Sequence, residues 1–243
     1  MPDNILLFIL LALVSEIIGT VSGFGSSILF VPLAGFFFDF KSVLGITAVF
    51  HVFSNLSKLY FFKTGVDKSI SVKLGIPAVL SVALGALLTA YLPTAQMQIG
   101  MNMVLVVLAV YLLINSNKQL QQTNRTLYLG GFVSGFLAGL FGTGGAIRGL
   151  TLSAFKLPMQ VFIATSALID LGVDGTRAAI YIAEGYFKLQ FLILIPVLIG
   201  ISILGSYLGK KILKHTTEIV FRYLVLLVIV CTCVIELLRS INS

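Results

Sequence analysis

The stretch 20-TVSGFGSSILFVP-32 sets two glycines and three serines inside a run that is otherwise apolar, and a similar interruption returns as 139-GLFGTGGAIRGLT-151. Glycine has no β-carbon, so it admits positive φ and lets backbone approach closely. Non-helical backbone at membrane depth is tolerated only where protein buries it or where it lines a watery cavity. If the remainder of the chain is membrane-embedded, these two places are therefore special.

The remainder is embedded by composition. The chain has 243 residues, 58% of them hydrophobic and only 10% charged, with a mean hydropathy of +1.08. A soluble domain carries about 25% charged residues. Apolar runs at 4–21, 42–62, 74–92, 97–115, 159–182, 189–209 and 219–238 each approach the roughly 20 residues that cross a bilayer. The expected fold is an all-α, multi-pass integral membrane protein. Met1-Pro2-Asp3-Asn4 has no basic character and no A-x-A-like site follows the first run, so 4–21 is expected to belong to the mature fold.

Several function classes are disfavoured. The net charge of +7 is what the positive-inside rule places in short loops; no basic patch is interleaved with aromatics, and no nucleic-acid partner is expected. Cys231 and Cys233 are too close for a disulfide or zinc framework and read as packing residues. No metal or cofactor is expected. A P-loop would need a following Gly-Lys-Ser/Thr, and Ile28 and Ile147 stand where a dinucleotide fingerprint has its third glycine. With two histidines, no H-E-x-x-H and no nucleophile motif, the chain does not read as an enzyme.

A shift of 119 residues aligns the halves. Gly23 falls on Gly142, Gly25 on Gly144, Ile28 on Ile147, Leu33 on Leu152, Phe36 on Phe155, Lys58 on Arg177 and Pro77 on Pro196. The division is a first repeat, 1–115, a polar linker, 116–125, and a second repeat, 126–243, within one membrane domain. Paired Gly/Pro interruptions in duplicated halves are a signature of secondary transporters and point to the binding site.

Charge then argues topology. Basic residues cluster at 63–73, 118–125 and 210–215, whereas 39–41, 93–96 and 184–188 are nearly neutral. If every apolar run crossed, the clusters at 63–73 and 210–215 would lie on opposite sides, against the charge rule. If each glycine break is instead the tip of a re-entrant hairpin, each half crosses three times and the clusters share the cytoplasmic side. The expectation is two inverted repeats, each a broken-helix hairpin plus three transmembrane helices, with both termini outside.

Residues 26–38 and 144–155 are too short to span at about 1.5 Å per residue. Half-helices starting near Ser26 and Gly145 would turn free N–H groups and positive dipole ends toward the bilayer midplane, an arrangement that attracts anions. The substrate-binding candidates are Gly23, Phe24, Gly25, Ser26 and Ser27 from the first break and Gly142, Thr143, Gly144, Gly145 and Ala146 from the second, with Ser22 as a further hydroxyl donor. The competing reading is that these glycines only let helices pack closely.

The segments 19-GTVSGFGSSILFVPL-33, 47-TAVFHVFSNLSKLYFFKTG-65, 135-GFLAGLFGTGGAIRGL-150 and 164-ATSALIDLGVDGTRAAIYIAEG-185 resemble the sulfite exporter TauE/SafE family over essentially the whole chain. The resemblance implies a carrier of small anions, mostly sulfur oxyanions or organosulfonates, often outward, in the bacterial cytoplasmic (inner) membrane. The family's break is often richer in glycine where this chain has Ser26-Ser27, and Thr151 stands where Pro32 would be matched, which leaves the substrate open.

Ionisable residues inside the spans carry the remaining chemistry, because each is costly in hydrocarbon and faces a cavity or a partner. Arg148, where the first half has Leu29, would grip a sulfonate or carboxylate bidentately, or else pair with a carboxylate to hold the fold. His51, Asn55 and Lys58 share a helix face at i, i+4, i+7, and Asp170, Asp174 and Arg177 repeat that spacing. They either line a route, with a coupling proton or sodium ion, or form an internal network in which Asp174 and Arg177 satisfy each other. Lys58 and Arg177 are expected to snorkel near a helix end; Glu16 reads either as a coupling carboxylate or as a packed one. Gly205 and Gly209 form a GxxxG expected to serve helix packing. Together these features predict a secondary transporter, alternating access around a midplane site, and the resemblance implies that it is an exporter. The alternative is a channel-like anion facilitator without ion coupling. The expected partners are the small anion (sulfur oxyanion, sulfonate or carboxylate), the lipid bilayer and a second copy of the chain.

Overall fold

A computed structural model describes residues 4–63, 65–114 and 120–213. The apolar run 219–238, with Cys231 and Cys233, lies outside the described residues. Those described are helical throughout their regular structure, with no strand among them.

Each glycine break ends one helix and starts a short one. Helix α1 (Ile5–Ser22) is capped by the Asn4 side chain and stops at Gly23, whose φ of 69° is left-handed. Glycine is favoured there because it meets no β-carbon penalty. The chain re-enters helix as α2 (Ser27–Ala34), eight residues or about 12 Å. The two arms lie side by side: Phe8 of α1 packs edge-on against Phe30, Phe37 and Phe38, and a β-carbon on Gly19 would overlap the Ser26 backbone. The chain therefore returns to the end it started from.

After the long helices α3 (Phe40–Phe61), α4 (Lys68–Leu88) and α5 (Thr94–Ile114), the pattern recurs in α6 (Asn124–Phe141) and α7 (Gly145–Ser153). Gly142, at φ 77°, ends α6. A β-carbon on Gly144 would overlap the Ser134 carbonyl, and one on Gly130 the Thr151 side chain. Helix α8 (Met159–Ala183) follows, then a 3-10 segment, Leu189–Leu194, leading into α9 (Ile195–Leu213).

By length and composition Ile5–Ser22, Phe40–Phe61, Lys68–Leu88 and Leu189–Leu213 are able to cross a membrane. Of the six expected apolar runs that fall within the described residues, five coincide with helices. The run expected at 74–92 is displaced, because Asp67 caps α4 by accepting from Ile70 N and so starts the helix at Lys68. Hydropathy alone does not register such a polar start.

Contacts fix which helix ends lie together. At one end Thr89 Oγ1 meets Tyr186 Oη at 3.1 Å, Phe38 meets Phe191 and Lys188 reaches Asp39 at 3.5 Å. At the other, Lys210 Nζ donates to the Phe61 carbonyl over 2.5 Å and Asp67 N donates to Thr165 Oγ1 over 3.0 Å. The basic segments around 63–73 and 210–213 thus share an end of the bundle, which the all-crossing arrangement forbids.

The centre is the pair α3 and α8, which run antiparallel. Gly45 lies against Tyr186, His51 reaches Arg177, Asn55 reaches Asp174 and Asp67 reaches Thr165; position rises on one helix as it falls on the other. Around this pair α4 packs on α6 and α8, and α1 and α3 pack on α9. Gly131, Gly135 and Gly139 of α6 face the carbonyls of Leu74, Ala78 and Val82, with no space for a β-carbon. Gly205 and Gly209 do serve packing, but what they admit is the Glu16 and Thr20 side chains of α1.

Candidate functional site

The N-termini of α2 and α7 meet at a small central cavity. Gly25, Ser26 and Ser27 approach it from the first break and Gly142, Gly144 and Gly145 from the second. No side chain caps either N-terminus, so first-turn N–H groups at both breaks remain available at one place. The breaks touch: a β-carbon on Gly145 would overlap the Phe24 carbonyl oxygen, and one on Gly25 would stand 3.4 Å from Arg148 Nη2. Gly25 itself sits at φ 85°.

Buried charge fills the rest of the wall. Arg148, only 4% exposed, forms an ion pair from Nη1 to Asp170 Oδ1 and donates from Nε to Ser166 Oγ over 3.1 Å. Arg177, 1% exposed, donates from Nε to Asp174 Oδ1 over 2.7 Å and from Nη1 to the Gly142 carbonyl over 2.7 Å. The second contact sets a cation on the negative C-terminal end of α6. Asn55 Nδ2 donates to Asp174 Oδ2 over 2.7 Å.

His51 joins the two breaks. Arginine has no acceptor, so Arg177 Nη2 donates to His51 Nδ1 over 3.1 Å. The neutral ring then carries its proton on Nε2 and donates to Ser26 Oγ over 3.0 Å. The Ser26 hydroxyl in turn donates to Glu16 Oε2 over 2.7 Å. This directed chain runs from Arg177, beside the second break, to Glu16 beneath the first. It commits the Ser26 proton to Glu16, so Ser26 offers the cavity its backbone N–H and not its hydroxyl hydrogen.

Gly25, Ser26, Ser27, His51, Asn55, Gly142, Gly144, Gly145, Arg148, Asp170, Asp174 and Arg177 all line the cavity. Gly23 lines a second cavity beside it, between the first break, Lys58 and Asp170. Phe24, Thr143 and Ala146 line neither: the Phe24 ring fills the space over Gly149, and Thr143 and Ala146 are buried. The snorkelling expected of Lys58 and Arg177 is not observed. Both are buried, because carboxylates wait inside for them: Glu16 lies 3.0 Å from Lys58 Nζ and Asp174 holds Arg177. Of the readings offered for Arg148 and the aspartates, the pairing network is the one observed, and the same residues line the cavity.

The sequence reading missed Ser54 as a wall residue, expected Lys58 to snorkel although it stands on the polar face, and left Glu16 undecided. Their signal was faint but present: Glu16 is the one charged residue of the first apolar run, and Ser54 and Lys58 stand one turn apart on the polar stripe.

An all-helical bundle with spans able to cross a bilayer, and with broken helices meeting at a charged central cavity, defines an integral membrane protein of the transporter class. A family model described as sulfite exporter TauE/SafE matches residues 7–235, and the chain belongs to that family. It is also similar to a protein of Methanocaldococcus jannaschii described as a probable membrane transporter protein, at 28% identity over 233 residues, covering 88% of this chain and 86% of that one.

Proposed function

We propose that this membrane transporter is a secondary carrier of a small oxyanion, a sulfur oxyanion such as sulfite or an organosulfonate, exported by alternating access around the cavity between the breaks. The observation that carries the reading is the convergence of two side-chain-uncapped helix N-termini and the Arg148 guanidinium on one cavity. Backbone N–H groups at a helix start favour negative charge, and a planar guanidinium matches a sulfonate or carboxylate through two parallel bonds. The binding groups are Gly25–Ser27, Gly144, Gly145 and Arg148, within two inverted repeats, 1–115 and 126–243, joined by the linker 116–125. The antiparallel α3–α8 pair and the shared end of the two basic segments support the inverted arrangement. The cell membrane it serves is the bacterial cytoplasmic membrane.

Charge balance suggests the coupling. Lys58, Arg148 and Arg177 face Glu16, Asp170 and Asp174, so with His51 neutral the buried set sums to zero. An anion that takes Arg148 from Asp170 leaves a buried carboxylate uncompensated, which is costly in a low dielectric. A proton taken up by Asp170 as the anion enters restores neutrality, making the transported unit an anion with a proton. This exchange of partners favours a carrier over a facilitator.

The test is a thermal-shift and flux screen of the purified chain against sulfite, sulfate, thiosulfate, sulfoacetate, taurine and simple carboxylates. One anion is expected to protect, with Arg148→Lys weakening it by about tenfold or more, since a charge-assisted bond contributes roughly 1.5–3 kcal/mol. An Arg148→Ala protein that keeps its affinity overturns the assignment.

A further inference from the structure

Glu16 is wholly buried, and its oxygens gather an unusual set of donors. Oε1 accepts from Ser54 Oγ at 2.7 Å, Ser206 Oγ at 3.2 Å and Thr20 Oγ1 at 3.3 Å, while Oε2 accepts from Ser26 Oγ at 2.7 Å. Lys58 Nζ sits among them, 3.0 Å from Glu16 Oε1 and 2.7 Å from Ser54 Oγ. The hydroxyls come from α1, α3, α9 and the residue that starts α2.

Hard oxygen ligands select hard cations, and a lone carboxylate among neutral hydroxyls is balanced by one positive charge, not two. The ammonium of Lys58 meets both conditions: it is a compact cation bound only to oxygen. The second half has no counterpart, since Gly135 and Val173 stand where the first half has Glu16 and Ser54. The equivalent cation, Arg177, is satisfied by Asp174 and a backbone carbonyl instead. The cluster is therefore not a by-product of duplication.

We propose that Glu16 and Ser54 form a monovalent-cation site whose occupant is the tethered ammonium of Lys58, and that removing this side chain opens the site to free sodium. The consequence for the intact protein is that the charge which fixes Glu16, and through it Ser26 at the start of α2, is carried by the chain rather than drawn from the medium. The first break is then held in place without sodium. The inference goes beyond the anion reading and rests on the contact of Lys58 with Glu16 and Ser54, not on Arg148 or Asp170.

Thermal unfolding of the purified full chain in detergent tests it, in sodium chloride and in choline chloride at equal ionic strength. Wild type is expected to melt at the same temperature in both salts. Lys58→Ala is expected to melt lower in choline and to recover saturably with sodium, by roughly 5–10 °C at concentrations about 100-fold above its Kd for a chain of this size. Adding Glu16→Gln to Lys58→Ala is expected to abolish the recovery.

A Lys58→Ala protein that is folded and indifferent to sodium overturns the proposal, as does a wild type that responds equally. If Lys58→Ala cannot be recovered, Lys58→Gln is measured in its place. Failure to recover either variant in sodium also overturns it, because an open site would restore the missing charge. The readout does not involve the anion, so a failed substrate screen leaves it untouched.

Discussion

Asn55 Nδ2 donates to Asp174 Oδ2 over 2.7 Å, and the two residues stand 119 positions apart in the chain, the shift that aligns its halves. Positions equivalent under a two-fold meet each other only on the axis of that two-fold. Because α3 and α8 cross antiparallel there, such an axis would lie across the helices, in the membrane plane, as the proposed inverted repeats require. Asp174 also holds Arg177, so this bond ties the axis to the second break.

The Asn55–Asp174 bond is expected to couple energetically. In a double-mutant cycle with Asn55→Ala and Asp174→Asn, the interaction energy from thermal or denaturant unfolding should fall within about 0.5–3 kcal/mol, as for contacting residues in one network. Strict additivity of the two changes would mean that the contact is incidental.

For Arg148 and Asp170 the expected pattern is also non-additive, and more strongly so. Arg148→Ala leaves a buried carboxylate unpaired and should destabilise by about 3–5 kcal/mol. Replacing both, Arg148→Met with Asp170→Leu, should cost clearly less, since an apolar pair of similar volume leaves no orphan charge. A double variant less stable than Arg148→Ala would show that the pair is not the source of the cost.

Much of this was legible in the sequence, for physical reasons that differ by element. The breaks were visible because glycine in an apolar run is conspicuous, and the starts expected near Ser26 and Gly145 agree with α2 at Ser27 and α7 at Gly145. The face shared by Asp170, Asp174 and Arg177 followed from helical periodicity alone. What periodicity cannot give is the partner across the bundle. Lys58 looked like a residue near a helix end, and only the packing of α1 and α3 on α9 brings Glu16, with Ser206 bound to it, against Lys58. Arg148 pairs with Asp170 for the same long-range reason.

Close approach at the breaks can be tested with single methyl groups. A β-carbon on Gly145 would overlap the Phe24 carbonyl oxygen, whereas one on Gly175, in α8, meets nothing within 4 Å. Gly145→Ala is expected to destabilise by about 1–3 kcal/mol through overpacking and to separate the two breaks. Gly175→Ala should be neutral or stabilising by up to about 1 kcal/mol, because alanine is the better helix former. Equal melting temperatures for the two variants would remove close backbone approach as the reason for glycine at 145.

Sidedness provides the last prediction. The Lys210–Phe61 contact places the basic segments that follow α3 and end α9 at one end of the bundle, while the Lys188–Asp39 pair marks the other. Single cysteines at Lys68, Lys188 and Lys211, all exposed positions, in a background lacking Cys231 and Cys233, convert this into a labelling pattern. With an impermeant maleimide added outside intact cells, Lys188→Cys is expected to react, and Lys68→Cys and Lys211→Cys to be protected until the membrane is opened. The positive-inside rule assigns the protected pair to the cytoplasm. Protection of Lys188→Cys with labelling of the other two would reverse the orientation while keeping the re-entrant hairpins. Labelling of Lys68→Cys and Lys211→Cys from opposite sides would refute the second hairpin, since only a full crossing at that break makes the number of crossings between those loops odd.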